Sequence, residues 1–243
     1  VVAGMLRYAK QNGKIPVFIT TKAALFSDIF RDFIDIGGFD SSPSQLRLED
    51  LPKPFILNDD KESKIRIEWE GKEKEEAVPY PKNVTVDLCR KKVMPKDKNL
   101  VILTYSQING NPKTTDPKKK NFVAQFEFLK AISSNAIFIL DESHVGGGNG
   151  KDTNILTNLE LLLASANGVM FASATYSKTP KAMRLYIPKT DIASSKINPE
   201  TIVTAVQENG EAVQEYIASL LVKSGQMIRR ERSFGNCKKI TEY

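Results

Sequence analysis

The chain has 243 residues, of which 41% are hydrophobic and 26% are charged. It is therefore too apolar for a disordered protein and long enough for one large domain or two small ones. Its 35 basic and 29 acidic residues leave a net charge of +6, which is compatible with a polyanionic partner but does not identify one. No apolar run approaches the roughly 20 residues of a membrane-spanning helix, and two cysteines are too few for a disulfide framework, so we expect a reducing compartment.

Helices and strands alternate along the first forty residues. A helical pattern begins at Val1 and stops at Asn12-Gly13, and residues 16–20 are an apolar run of strand length. The pair Thr20-Thr21 is suited to capping a second helix, whose apolar face ends at Gly37-Gly38. This order of elements predicts the start of an α/β fold.

Residues 40–84 interrupt the alternation. This segment contains five prolines and a dense mixture of Lys and Glu. Only residues 65–69 alternate between apolar and polar side chains, as a half-exposed strand does. We interpret the segment as an insertion that carries a small hairpin.

The alternation resumes at residue 100. Apolar strands are predicted at 100–104, 136–140 and 169–172, and a helix follows each of the first two. Strands that are apolar throughout are typical of a parallel sheet that helices cover on both faces. Beyond Pro180 the pattern is helical, and we expect a helical C-terminal extension over residues 180–243.

Four polar residues, Asp141-Glu142-Ser143-His144, follow directly after the predicted strand at 136–140. Two adjacent carboxylates at this position lie at the carboxyl edge of a parallel sheet, where open α/β folds bind their ligands. One carboxylate can then hold Mg²⁺ while the next orients and deprotonates a water. Alternatively, the pair is only a solvated turn that opens a helix, because acidic residues favour helix N-termini.

A second polar group follows the next strand of the predicted sheet. Ser173 and Thr175 come after residues 169–172, one strand and one helix beyond the acidic tetrad. Hydroxyl groups at that position can hydrogen-bond the carboxylates and the histidine on the neighbouring strand. The Ser-Ala-Thr sequence is too short to indicate a function by itself, and it is informative because of its order and spacing relative to the acidic tetrad. Without it, His144, which is the only histidine of the chain, would be interpreted as a hydrogen-bonded turn residue.

The acidic tetrad, followed about thirty residues later by Ser-Ala-Thr, resembles motifs II and III of the superfamily 2 helicases and translocases. Five further segments resemble the Strawberry notch-type helicase-like proteins, including their bacterial and phage members. These segments are residues 16–20, 25–28, 104–107, 173–180 and 229–234, and the resemblance covers most of the chain outside residues 40–84.

This resemblance implies a RecA-like sheet of the P-loop NTPase type, with ATP and Mg²⁺ as cofactors. It also implies DNA or RNA as the polymer and a second RecA-like domain in the same parent chain. No membrane partner is expected. The location would be cytoplasmic in a bacterial or phage-infected cell, and nuclear in a eukaryote.

The resemblance also implies roles for individual residues. Asp141 would hold Mg²⁺ and Glu142 would activate the water that attacks the γ-phosphate. His144, acting with the nucleotide-site residues Ser173 and Thr175, would couple hydrolysis to movement on nucleic acid. Hydroxyl and lysine groups suit sequence-independent contact with phosphates. The polymer backbone would be contacted by Thr20, Lys22, Thr104, Tyr105 and Ser106.

One motif of this family does not occur in the 243 residues. Its members bind the nucleotide phosphates with a glycine-rich loop that ends in Lys at the start of a helix, and no G-x-x-x-x-G-K-[ST] pattern is present. The glycine-rich run at 146–150, with Lys151, comes after the acidic tetrad instead of before it. We therefore expect the phosphate loop to precede Val1, so that residues 1–243 are a partial first RecA-like domain of a longer protein.

We therefore expect this chain to bind nucleotide poorly. Because the loop amides that cradle the phosphates are missing from it, a titration with ATP should show no saturation in the micromolar range. Micromolar affinity of the 243-residue chain for ATP would contradict the expectation.

Two other functions fit the same residues. One is a degenerate motor domain that serves as a non-catalytic scaffold for transcription or anti-restriction partners. The other is the motor of a restriction-type translocase that is linked to a methyltransferase or nuclease. An upstream loop without the phosphate-binding Lys would favour the scaffold.

Two basic clusters have less specific interpretations. Lys113 and residues 118–120 either follow the phosphates of a polymer or form a solvated loop. Arg229, Arg230 and Arg232 either bind phosphate bidentately or form structural ion pairs.

Overall fold

The computed structural model describes residues 1–111, 113–116, 119–144, 153–173, 180–195 and 197–228. Short 3-10 turns connect several of the regular elements. In chain order these elements are α1 (Val2–Gln11), β1 (Ile15–Thr20), α2 (Leu25–Ile36), β2 (Pro54–Ile56), β3 (Ile65–Trp69), β4 (Lys72–Ala77), α3 (Lys82–Lys91), β5 (Leu100–Thr104), α4 (Lys120–Ile132), β6 (Ala136–Asp141), α5 (Thr153–Ser165), β7 (Gly168–Ala172), α6 (Met183–Tyr186) and α7 (Pro199–Lys223).

Five strands form one parallel sheet in the order β2-β5-β1-β6-β7. Because these strands run in the same direction, the residues that follow them all lie at one edge, which we call the carboxyl edge. The other two strands, β3 and β4, pair antiparallel as a hairpin. The predicted α/β class, with a parallel sheet and a small hairpin, is confirmed.

Helices cover both faces of the sheet because side chains along each strand alternate between the faces. On one face α1 and α2 pack with the strands, so that Leu6 and Phe30 share a buried cluster with Phe18. On the other face α3, α4 and α5 do the same, and Leu159 shares a buried cluster with Phe138. Both faces of the central strands are therefore buried, which explains why those strands are apolar at nearly every position.

The segment at residues 40–84, which was predicted to be an insertion, contributes one strand to the main sheet. Pro54–Ile56 form β2, which pairs with β5 at the edge of the sheet. A strand of three residues that begins with proline shows no readable period, although proline is tolerated at the first position of an edge strand. The predicted hairpin is present, and Ile65 and Ile67 of β3 are buried against the α1–α2 side of the sheet.

The two ends of α2 differ in how well they were predicted. The helix begins at Leu25 with Ala24 at its N-cap and without a side-chain cap, so the predicted capping by Thr20-Thr21 is wrong. Thr20 instead belongs to β1 and is fully buried. At the other end, Gly37 adopts a left-handed conformation with φ of 83°, as a helix-terminating glycine does.

The described part of the chain beyond residue 180 is mostly helical. Met183 and Tyr186 of α6 pack with Val203 and Val206 of α7 in a small cluster of their own. Gly210, with φ of 58°, interrupts the helical conformation of α7. Among the described helices, none combines the length and apolar composition that a membrane crossing would need.

Candidate functional site

The acidic tetrad lies at the carboxyl edge of the sheet, where the sequence places it. Asp141 is the last residue of β6 and is paired in register with Ala172 of β7, so Ser173 leaves the sheet beside it. On the other side of β6, Thr20 is the last residue of the neighbouring β1. Three adjacent strands therefore end in one group of polar side chains.

Two buried residues hold Asp141. The Thr20 hydroxyl donates to Asp141 Oδ2 at 2.9 Å, and the Tyr105 hydroxyl donates to the Asp141 backbone carbonyl at 2.9 Å. Thr20 has no exposed surface, and Tyr105 is 3% exposed. A hydrogen bond to a charged carboxylate fixes its orientation. In the described part of the chain no donor reaches Asp141 Oδ1, so this oxygen is the one available to a cation.

Tyr105 is suited to this supporting role because its phenol stays protonated. Burial raises the pKa of Tyr105 well above its usual value, and the nearby Tyr186 phenol and the Asp141 and Glu142 carboxylates raise it further. A protonated phenol beside a backbone carbonyl acts as a donor. Tyr105 therefore anchors the backbone immediately before Glu142.

His144 connects the acidic tetrad to β7. Its Nδ1 lies 2.8 Å from Ser173 Oγ and 3.1 Å from Glu142 Oε2. The hydrogen bond with Ser173 suits either tautomer of the imidazole, because a hydroxyl both donates and accepts, and the Glu142 carboxylate lies within ion-pair distance of the same nitrogen. The predicted hydrogen bond between the histidine and a hydroxyl on the neighbouring strand is confirmed.

Three of the five residues predicted to contact a polymer lie in the interior. Thr20, Thr104 and Tyr105 are at most 4% exposed, and their hydroxyl groups have partners inside the protein. Their burial does not favour direct contact of these side chains with nucleic acid, and that contact stays a prediction. Their position makes them supports of the site instead.

The other two predicted contact residues are exposed at the same edge. Lys22 follows β1 and Ser106 follows β5, and the last residues of these neighbouring strands are paired in register. The Ser106 hydroxyl lies 2.8 Å from Thr104 Oγ1. Lys22 and Ser106 therefore offer a cation and a hydroxyl on the surface beside the acidic tetrad.

Two residues that contribute to the site were missed in the sequence. Asn58 follows β2 and holds Thr104 from both sides, since its Nδ2 donates to the hydroxyl at 2.9 Å and its Oδ1 accepts from the backbone amide at 3.0 Å. Tyr186 of α6 shares a hydrogen bond of 2.9 Å with Ser143. The apolar run at 55–57 could have indicated Asn58 as a strand-end residue, whereas no sequence signal pointed to Tyr186.

The fit of a divalent cation follows from the donors present. Among the residues that the structure describes, no cluster of three or more His, Cys, Asp or Glu side chains is placed to hold a metal ion. Mg²⁺, however, commonly takes one or two protein carboxylates and completes its shell with water and phosphate oxygens. Asp141, with one oxygen fixed by Thr20, fits that mode of binding.

Some of the remaining predicted residues are described and others are not. Lys113, Lys119 and Lys120 are described and exposed, and Lys120 begins α4. The features that lie outside are Thr175, the glycine-rich run at 146–150 with Lys151, Lys118, Arg229, Arg230 and Arg232.

Comparisons of the chain with protein-family models, with curated proteins and with solved structures found no match. By itself the structure defines an α/β protein with a five-stranded parallel sheet and a polar site at its carboxyl edge.

Proposed function

We propose that this chain is the first RecA-like motor domain of an ATP-dependent helicase or translocase, with its hydrolytic site at the acidic tetrad. The observation that carries the proposal is the position of His144 Nδ1 between Glu142 Oε2 and Ser173 Oγ. This contact joins the polar groups that follow two neighbouring strands, which is what coupling between motifs II and III requires. Full burial of Ser143 argues against a merely solvated turn.

The tetrad supplies the groups that phosphate hydrolysis needs. Asp141 would hold Mg²⁺, which when bound neutralises charge on the phosphate oxygens. Glu142 would accept a proton from the water whose oxygen attacks the terminal phosphorus, while the bond from that phosphorus to the bridging oxygen breaks and ADP leaves. His144, whose Nδ1 lies 3.1 Å from Glu142 Oε2, helps to fix the position of that carboxylate.

The topology supports a phosphate-binding loop upstream of α1. Each connection that leads to a strand nearer β7 crosses the face covered by α3, α4 and α5. The connection from β1 to β2 leads away from β7 and crosses the face covered by α1 and α2. Because parallel crossovers share one hand, a strand that fed β1 through α1 would lie beyond β7. Such a strand would end beside Ser173 at the carboxyl edge.

The direction of α1 agrees with this arrangement. The helix packs against β1 and β6 and ends three residues before β1 begins, so its N-terminus lies at the carboxyl edge. Amides of a first helical turn favour phosphate oxygens. A loop that entered α1 at that edge would therefore face the acidic tetrad.

Lys22 and Ser106 are the residues that we propose for contact with the polymer. Both are exposed, and both lie at the carboxyl edge beside the residues that hold Asp141. A lysine and a hydroxyl suit phosphate groups and carry no sequence preference. Binding of this kind suits a motor that moves along nucleic acid regardless of sequence.

Two single substitutions in the parent protein separate hydrolysis from polymer binding. Thr20→Val removes the donor to Asp141, so we expect ATP turnover to fall about tenfold with unchanged affinity for single-stranded DNA. Lys22→Ala should weaken DNA binding and reduce the salt dependence by about one phosphate contact, with turnover at saturating DNA unchanged. Phosphate release and the fluorescence anisotropy of labelled DNA at several salt concentrations measure both effects.

Thr20→Val and Lys22→Ala are controls for each other. Thr20 and Lys22 are separated by one residue, but one is buried and the other is exposed. If Thr20→Val lost DNA affinity while Lys22→Ala did not, the division between supporting residues and contact residues would be wrong.

A further inference from the structure

Glu142 has a backbone conformation that is uncommon for a residue with a side chain. Its φ is 50°, in the left-handed region that favours glycine. Such a conformation persists only where the surrounding structure imposes it. The contacts immediately before and after this residue therefore decide where its carboxylate lies.

Two phenols make those contacts. The Tyr105 hydroxyl donates to the carbonyl of Asp141, directly before Glu142, at 2.9 Å. The Tyr186 hydroxyl lies 2.9 Å from Ser143 Oγ, directly after it. Ser143 has no exposed surface and Tyr186 is 4% exposed, so water does not compete for this second hydrogen bond.

Tyr186 belongs to the helical part of the chain and not to the sheet. It lies in α6 and packs with Met183 and with Val203 of α7 in the small C-terminal cluster. Its ring also meets Phe171 of β7 edge-on, with ring centroids 4.6 Å apart. One side chain thus connects the C-terminal helices to the backbone next to Glu142.

We propose that Tyr186 is a positioning residue for Glu142 and that it makes hydrolysis sensitive to how α6 and α7 pack against the sheet. This inference rests on the proposed function and concerns the same site. Tyr186 does not touch the reacting groups. It acts through Ser143, whose hydrogen bond holds the turn that carries the carboxylate.

The substitution Tyr186→Phe tests this role in the parent protein because it keeps the ring packing and removes only the hydroxyl. We expect kcat for ATP hydrolysis to fall about tenfold with KM for ATP unchanged, as for the loss of one buried hydrogen bond that orients the base. Tyr216→Phe is the matched control, since Tyr216 lies on α7 and is 65% exposed. It should leave kcat unchanged.

A double substitution distinguishes positioning from general destabilisation. Ser143→Ala removes the other half of the hydrogen bond and should lower kcat to a similar extent. The double variant Ser143→Ala/Tyr186→Phe should then be no slower than either single variant, because both changes remove one interaction. Additive losses would overturn the inference.

Amide hydrogen exchange of the 243-residue chain measures the connection between Tyr186 and residues 142–144 and does not depend on ATP hydrolysis. Tyr186→Phe should speed exchange at residues 142–144 about tenfold relative to the wild-type chain, whereas Tyr216→Phe should not. If the wild-type parent hydrolyses ATP and Tyr186→Phe is equally fast, the inference fails and the proposed function stands. If the wild-type parent is inert, the proposed function fails, and unchanged exchange at 142–144 would then overturn the positional link as well.

Discussion

Glu142→Gln in the parent protein is expected to lower ATP turnover by about 10²–10⁴-fold, the contribution typical of a general base. The amide has nearly the size and shape of the carboxylate, but it cannot take a proton from water. Affinity for ATP should stay within about threefold of wild type, because no phosphate contact is removed. Steady-state phosphate release measures turnover, and titration with a fluorescent ATP analogue measures affinity.

Glu127→Gln is the matched control for this substitution. Glu127 lies on α4, and its side chain is 39% exposed compared with 40% for Glu142. The control should leave turnover unchanged, since Glu127 lies 3.6 Å from the Lys92 ammonium and is no part of the site. If Glu142→Gln kept more than about a tenth of wild-type turnover, a base other than Glu142 would be required.

Gly37→Ala is expected to destabilise the fold by about 3 kcal/mol or more. Gly37 ends α2 with φ of 83°, and an added Cβ would overlap the Ser41 carbonyl oxygen and lie 2.6 Å from the Ser42 carbonyl carbon. The backbone cannot relieve both contacts without shifting the connection after α2. Equilibrium urea unfolding, followed by the fluorescence of the single tryptophan Trp69, measures the loss.

Gly13→Ala separates the conformational cost from the steric cost. Gly13 also has a positive φ, 67°, but an added Cβ there would meet no atom within 4 Å. We expect a loss of only about 1 kcal/mol at this position. Equal losses in the two variants would show that the overlap at Gly37 contributes nothing.

The strands of the sheet centre could be predicted closely from the sequence, whereas its edge could not. The runs at 16–20, 100–104, 136–140 and 169–172 match β1, β5, β6 and β7 to within one residue at each end, because burial on both faces makes each strand apolar throughout. By contrast, β2 is three residues long and begins with proline. The helix α3 was not predicted because only Thr85, Val86 and Cys89 are buried in it, too few to show a helical period.

The candidate site divides in a similar way. The positions of Asp141 and Ser173 follow from their places directly after strands of a parallel sheet, and the contact of Ser173 with His144 was predicted on that basis. The inward orientation of Thr20 and the approach of Tyr186 depend on register and on packing between distant segments, which local patterns do not encode.

Hydrolysis at the acidic tetrad is tested most directly by the ATP turnover of the parent protein, measured without polymer, with single- and double-stranded DNA, and with RNA. We expect turnover in the presence of Mg²⁺ that at least one of these polymers stimulates, and the polymer that stimulates most identifies the track. A parent protein that hydrolyses no ATP under any of these conditions would contradict the motor function and favour a non-catalytic scaffold.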